Sequence, residues 1–211
     1  FTAVCHRMVP FFSSAVIPRY RVVRPLWLLH LLLACYAAHG ALEVAGLPQW
    51  TWLADLPAAL AALWLSWAWQ LRRCLAVRLL AVLHVAFLWL GASLALHAAG
   101  SLLLLTGAGA LGLAPLHALT LGFFASVAIG MVTRVTLGHS GRPLAADNAT
   151  WLVFWGMQGV AVLRVVAEFV LLPGAASLSF LAALGWLAVF GLWYAKFAPA
   201  YLKPRADGQP G

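Results

Sequence analysis

Seven histidines stand in a chain that carries only five acidic residues. Five of them, His30, His39, His84, His97 and His117, lie inside long apolar stretches, while His6 and His139 lie in the segments between. An ionisable side chain inside a bilayer costs ~2.5–3.5 kcal/mol on insertion scales for Arg or Asp, so each one needs a reason. A single membrane histidine has a plain use as an interhelical hydrogen-bonding group. Five in a chain so short of other polar residues point to a shared task.

Depth along the apolar stretches sorts these residues into two layers. One holds His30, His84 and Arg134, with His139 just outside; the other holds His39, Glu43, Asp55, His97, His117, Arg164 and Glu168. His84 and His97 are thirteen residues apart on one predicted helix, which separates them by ~20 Å in depth at 1.5 Å per residue. One ion cannot take both, so two ligands bound there occupy two sites. His39 and Glu43, four residues apart, share a helical face, as do Arg164 and Glu168. The latter pair reads equally well as a buried ion pair that neutralises itself.

Neutral imidazole enters a bilayer without a counter-charge and ligates both haem iron and copper. Two histidines on facing helices hold a haem within a bundle, and an arginine near the interface pairs its propionates. His84 with a histidine from another helix, and Arg134 at the boundary, fit that plan. Copper takes two or three converging imidazoles, which the second layer can supply. Acidic and histidine residues in series also relay protons or line a transport path, and the residue types alone do not choose between metal and proton. Phosphate-loop, zinc-protease, haem-attachment and nucleophile-elbow motifs are absent. Cys5, Cys35 and Cys74 are three, widely spaced and without a Cys-x-x-Cys pair, so they form no disulfide framework and read as small apolar side chains.

The elements that position these groups are membrane helices. The chain is 64% hydrophobic and 9% charged over 211 residues, with eleven tryptophans, far from the roughly one-quarter charged of a soluble domain. Six stretches reach the ~20 apolar residues needed to cross the hydrocarbon: 26–45, 50–71, 79–99, 115–137, 151–171 and 176–197. The fold class is therefore all-α, a polytopic transmembrane helix bundle with six predicted spans. Residues 1–25 read as the end of a preceding helix plus a connection, 26–197 as the transmembrane domain and 198–211 as a tail. The formal charge of +8 does not indicate nucleic acid. Its Lys and Arg residues do not cluster on one face among polar groups, so no nucleic-acid partner is expected.

Arg7, Arg19, Arg21 and Arg24 precede the first span, Arg72, Arg73 and Arg78 follow the second, Arg134 and Arg142 flank the exit of the fourth, and Lys196, Lys203 and Arg205 close the sixth. The other three connections, 46–49, 100–114 and 172–175, carry no Lys or Arg. By the positive-inside rule the basic connections and both ends are cytoplasmic. Trp27, Trp69, Trp151 and Trp193 are expected at the inner interface, and Trp50 and Trp52 at the outer one.

The fourth span and its exit read Pro115-Leu-His117-Ala-Leu-Thr-Leu-Gly122, then Gly130-Met-Val-Thr-Arg134-Val-Thr-Leu-Gly138-His139-Ser-Gly141-Arg142-Pro143-Leu. With Arg7-Met-Val-Pro10-Phe11-Phe12 and Leu83-His84-Val-Ala-Phe-Leu-Trp89-Leu-Gly91, this resembles the NnrS family of polytopic bacterial membrane proteins. The resemblance implies a protein of roughly twelve helices, of which these are the C-terminal six, with the N-terminal half missing. It implies haem and copper as cofactors and a part in relieving nitric oxide or nitrosative stress, linked to denitrification, in the bacterial inner membrane. The matching residues are Arg7, His84, His117, Arg134, His139 and Arg142.

The expectation is thus an integral membrane haem- and copper-binding protein of the nitric oxide response. His84 and His117 are the expected metal or haem ligands in separate layers, and His139 is a ligand or proton-exchanging group. Arg134 and Arg142 pair propionates or other anions. The rival is a proton-coupled transporter or channel without a metal, which a discontinuous helix around Gly122 and Gly130 would favour; a sensor without turnover is a third reading.

Overall fold

Where water is absent, each backbone N–H and C=O must be satisfied within its own segment, and apolar runs of this length do so as helices. The computed structural model describes residues 1–169 and 174–208, and these contain helices and no strand. The elements are α1 (Thr2–Ser14), α2 (Leu26–Val44), a 3₁₀ turn (Pro48–Trp50), α3 (Trp52–Ala68), α4 (Leu71–Cys74) and α5 (Arg78–Thr106). They continue with α6 (Ala114–His117), a π-helical segment (Ala118–Ala125), α7 (Ser126–His139), α8 (Asn148–Ala167), α9 (Gly174–Phe197) and α10 (Pro199–Leu202).

Five of these pieces are long and apolar enough to cross a membrane: Leu26–Val44, Arg78–Thr106, Ala114–His139, Asn148–Ala167 and Gly174–Leu202. The second expected span is shorter than its apolar run. Pro48 starts a 3₁₀ turn and Gln70 adopts a left-handed φ of 57°, leaving a helix of 17 residues. At 1.5 Å per residue it reaches ~26 Å, the low end of a spanning length. The third span overruns its expected end, because no polar residue stops α5 before Gly107, whose φ of 69° closes it in a left-handed cap. The last residues of the fifth expected span and half of the connection at 172–175 lie outside the described residues.

Two packed units share the fourth span. In one, the small face of α3 (Ala54, Ala58, Ala61, Ala62) lets it approach α5 closely, around Leu65, Phe87 and Leu90. In the other, α8 and α9 pack through Met157, Val160, Ala182 and Val189, with Ile129 of α7 joining them. The π-helical segment and α7 lie between the two. Gly122 is what lets the π-helical segment meet α5, since a Cβ there would stand 2.4 Å from Cδ2 of Trp89. Trp89 Nε1 donates to Gln158 Oε1 at 2.7 Å, and Gln158 Nε2 donates to Ser126 Oγ at 2.8 Å, tying α5, α8 and α7 together. The helix through Ala114–His139 widens into π geometry and continues, so the discontinuity a transporter reading asks for is not formed among its residues.

The two ends of the bundle differ. At the basic end Arg78 donates to Asn148 Oδ1 at 2.8 Å, Arg73 donates to the Pro18 carbonyl at 2.7 Å, and Lys196 pairs with Asp147. Asp147 also caps α8 by accepting from the Thr150 amide at 2.9 Å. Lys196 and these hydrogen bonds hold its carboxyl down at about 2. At the neutral end no Lys or Arg lies in the described connections, and the ties include Trp52 N–H donating to Ser101 Oγ at 3.1 Å and Leu113 N–H donating to Glu168 Oε2 at 3.0 Å. Trp69, at the basic end of α3, is fully buried; its Nε1 donates to the Val23 carbonyl at 2.8 Å and its ring meets Phe87 at 4.5 Å.

Candidate functional site

Three helices deliver one ligand-bearing side chain each to the neutral-end half of the first unit. His39 comes from α2, Asp55 from the first turn of α3 and His97 from α5. His39 Nδ1 lies 2.9 and 3.0 Å from the two Asp55 carboxylate oxygens, and the His39 and His97 rings meet edge to face at 5.2 Å. One donor atom from each residue lies within 4.8 Å of the others. An ion with bonds of ~2.0–2.2 Å needs donors ~3–4 Å apart, so small side-chain rotations let all three share it.

Electrostatics favours a cation there. Asp55 is 2% exposed, and its only hydrogen-bond partner among the described residues is the His39 ring. A buried carboxylate needs a positive neighbour, supplied here either by a proton on His39 or by a metal ion that both bind. The cluster faces a cavity of about 260 Å³, walled by Leu90, Leu94, Phe123 and Phe124, with Tyr36 at its edge. That is below the ~300–1,000 Å³ of pockets for drug-sized ligands, so it suits an ion and a small molecule, not a macrocycle. Phe123 and Phe124 come from the π-helical segment, a geometry that recurs at functional sites.

The expected residues are distributed otherwise. His84 is 1% exposed, with Nε2 2.9 Å from Ser13 Oγ. Ser13 uses its own proton on the Val9 carbonyl, so His84 donates through Nε2 and its Nδ1 keeps a lone pair. That nitrogen is enclosed and has no hydrogen-bond partner among the described residues. Cys74 and Tyr20 pack alongside, and burial pushes the Tyr20 phenol up to about 12. His117 belongs to a different group: its Nε2 accepts from Arg164 at 2.6 Å, and Glu168 stands 3.4 Å away.

At the basic end Arg134 and His139 do share a cavity, of about 490 Å³, with Met8, Phe11, Phe12 and Arg205. Arg134 is 9% exposed, and its guanidinium lies 4.1 Å from the Phe12 ring centroid. Among the described residues it has no hydrogen-bond acceptor or carboxylate partner. Arg142 stands outside that lining, and one of its terminal nitrogens is buried without a partner. His30 is exposed on α2.

The model of the family described as NnrS protein matches residues 1–205. The chain belongs to the NnrS family. No curated protein and no solved structure matches it. Membership ties this multi-pass membrane protein, at the level of the family, to the nitric oxide response. The NnrS motif in the fourth span brings His117, Arg134, His139 and Arg142 onto one continuous helix and the turn after it. The convergent cluster lies elsewhere, in residues that the motif does not contain. Its depth layer was readable from the sequence, but Asp55 as the partner of His39 was not. Glu43, the helical neighbour of His39, is exposed on α2. Tyr36, one turn before His39, was the available signal for the cavity edge.

Proposed function

We propose that this NnrS protein acts in the nitric oxide response through one transition-metal ion held by His39, Asp55 and His97, with nitric oxide taken up in the adjoining apolar cavity. The observation that carries this reading is the convergence of those three side chains, from three helices, around a buried carboxylate. Two imidazoles and a carboxylate suit copper(II) or non-haem iron(II), and copper is the ion the family resemblance implies. Such an ion supplies a site that binds nitric oxide and exchanges an electron. The chain's own residues fix the donors, and Leu90, Leu94, Phe123 and Phe124 keep water scarce beside them.

Haem is assigned to the basic-end cavity. The guanidinium of Arg134, without a carboxylate partner among the described residues, suits a propionate, and His139 is the imidazole on that lining; Arg205 lies on the same lining but is paired with Asp207. His84, with its unengaged but enclosed Nδ1, is the other nitrogen at this end. By the positive-inside rule this end faces the cytoplasm of a bacterial inner membrane.

The experiment is a metal titration of the purified natural full-length protein with copper(II), beside its visible spectrum. One tightly bound equivalent that disappears in Asp55→Asn and His97→Ala supports the centre. Copper binding that survives both substitutions overturns it. A Soret band lost in His139→Ala and kept in His84→Ala supports the haem assignment, and the opposite pattern moves the ligand to His84.

A further inference from the structure

A third cavity, of about 520 Å³, opens on the flank of the bundle between the π-helical segment, α8 and α9. Its polar end holds His117, Arg164 and Ser179, with Thr120 nearby; Trp186 and Leu187 line its apolar length. Trp186 and Leu187 are 39% and 61% exposed, so this wall is open on the outside of the described bundle. Ser179 lies five residues into α9, and Trp186 lies seven residues beyond it. The cavity therefore starts ~8 Å along the helix axis from Gly174, the first described residue of α9, and runs ~10 Å further. It has the outline of an amphiphile with a compact head and an apolar tail.

The head's charge decides its class. Arg164 lies 3.3 Å from Glu168, so the two cancel, and Arg164 also donates to Ser179 Oγ at 2.8 Å and to His117 Nε2 at 2.6 Å. Accepting from a guanidinium keeps His117 neutral, with its proton on Nδ1. The polar end is thus neutral overall while offering both donors and acceptors. An anionic headgroup gains nothing there, whereas a neutral ring bearing two carbonyl or hydroxyl oxygens finds both kinds of partner.

We propose that this cavity binds a bilayer-soluble isoprenoid quinone or its hydroquinone. Ser179 and Arg164 hydrogen-bond one ring oxygen, and the tail lies along Trp186 and Leu187. The proposal goes beyond the metal reading and stands without it. The two cavities lie on either side of one segment, with Leu119, Phe123 and Phe124 lining the metal-side cavity and Thr120 and Leu121 lining this one. A carrier bound here sits one helix away from the proposed centre.

The test is saturation binding of decylubiquinone to the full-length protein in lipid nanodiscs. The result expected is one saturable site per chain. Its Kd rises about fivefold in Ser179→Ala, the loss of one hydrogen bond. It rises at least ~tenfold in Ala183→Phe, which fills the cavity from an exposed wall position without touching the ion pair. Binding is retained in Asp55→Asn, which separates this site from the metal centre. Absence of saturable binding, or an unchanged Kd in Ala183→Phe, overturns the proposal. Displacement of the quinone by phosphatidylglycerol at lower concentration than by phosphatidylethanolamine also overturns it, by making the cavity an anion site.

Discussion

The two ends of the molecule carry opposite deficits. Among the described residues, a buried carboxylate in the neutral-end half, Asp55, has two imidazoles around it and no Lys or Arg as partner; at the basic end Arg134 has an aromatic ring and no anion. Both are expensive in a low-dielectric interior. A protein that needed only packing would place apolar residues at both. On the proposed reading, one end takes a cation and the other an anion, and those ligands would complete the electrostatics that the chain leaves open. The flank cavity differs from both, because Arg164 and Glu168 already neutralise each other.

The sharpest break of this contrast is Asp55→Asn. It keeps shape and hydrogen bonding but removes the charge, so copper(II) affinity is expected to fall ~100-fold or more, as loss of a ligand exceeds the ~10–100-fold of outer partners. Calorimetric or competition titration measures it. Next in size is Arg134→Met. Haem retention falls ~tenfold or more, the loss of a charge-assisted hydrogen bond. The ligand-free protein, relieved of an unpaired buried charge, melts at the same or a higher temperature. A lower melting temperature would mean that Arg134 is satisfied within the chain, and the contrast would fail.

A smaller effect is expected between the sites. Gln158→Leu cuts both hydrogen bonds that tie α5, α8 and α7, which should cost about 1 kcal/mol, twice the per-bond average inside membranes. Copper affinity should stay within twofold, and a larger change would mean that the two packed units are coupled. The smallest effect concerns pH. Asp147 is depressed to about 2 by Lys196 and its α8 cap, so its stabilising share is present above the unfolded carboxylate value of ~3.9. It is lost as pH falls through about 2. Asp147→Ala should flatten the acid limb of a melting-temperature profile and leave the neutral region lower but parallel.

Much of the fold could be read from the sequence because hydropathy and charge alternation are one-dimensional signals. The all-helical membrane bundle follows from apolar length, and the two depth layers follow from counting residues along each span. Boundaries were less legible where local conformation intervenes, as with the left-handed Gln70 that ends α3 early and the Gly107 that lets α5 run on. The π geometry at Ala118–Ala125 has no periodic signature in an eight-residue apolar string. Pairing was least legible of all. Helical spacing relates His39 to Glu43, while the actual partner, Asp55, arrives from another helix through packing of small residues that carry no polarity signal. Burial of Trp69 against Phe87 was likewise not legible, because sequence position gives a tryptophan's depth and not its neighbours.

The central claim is that His39, Asp55 and His97 hold one metal ion together. Nitrogen hyperfine spectroscopy of the copper(II)-loaded full-length protein measures this most directly, because it counts coordinated imidazoles. The account predicts two imidazole nitrogens in the wild type and one in His39→Ala or in His97→Ala. A copper spectrum without imidazole coupling, or one that neither substitution changes, would contradict it.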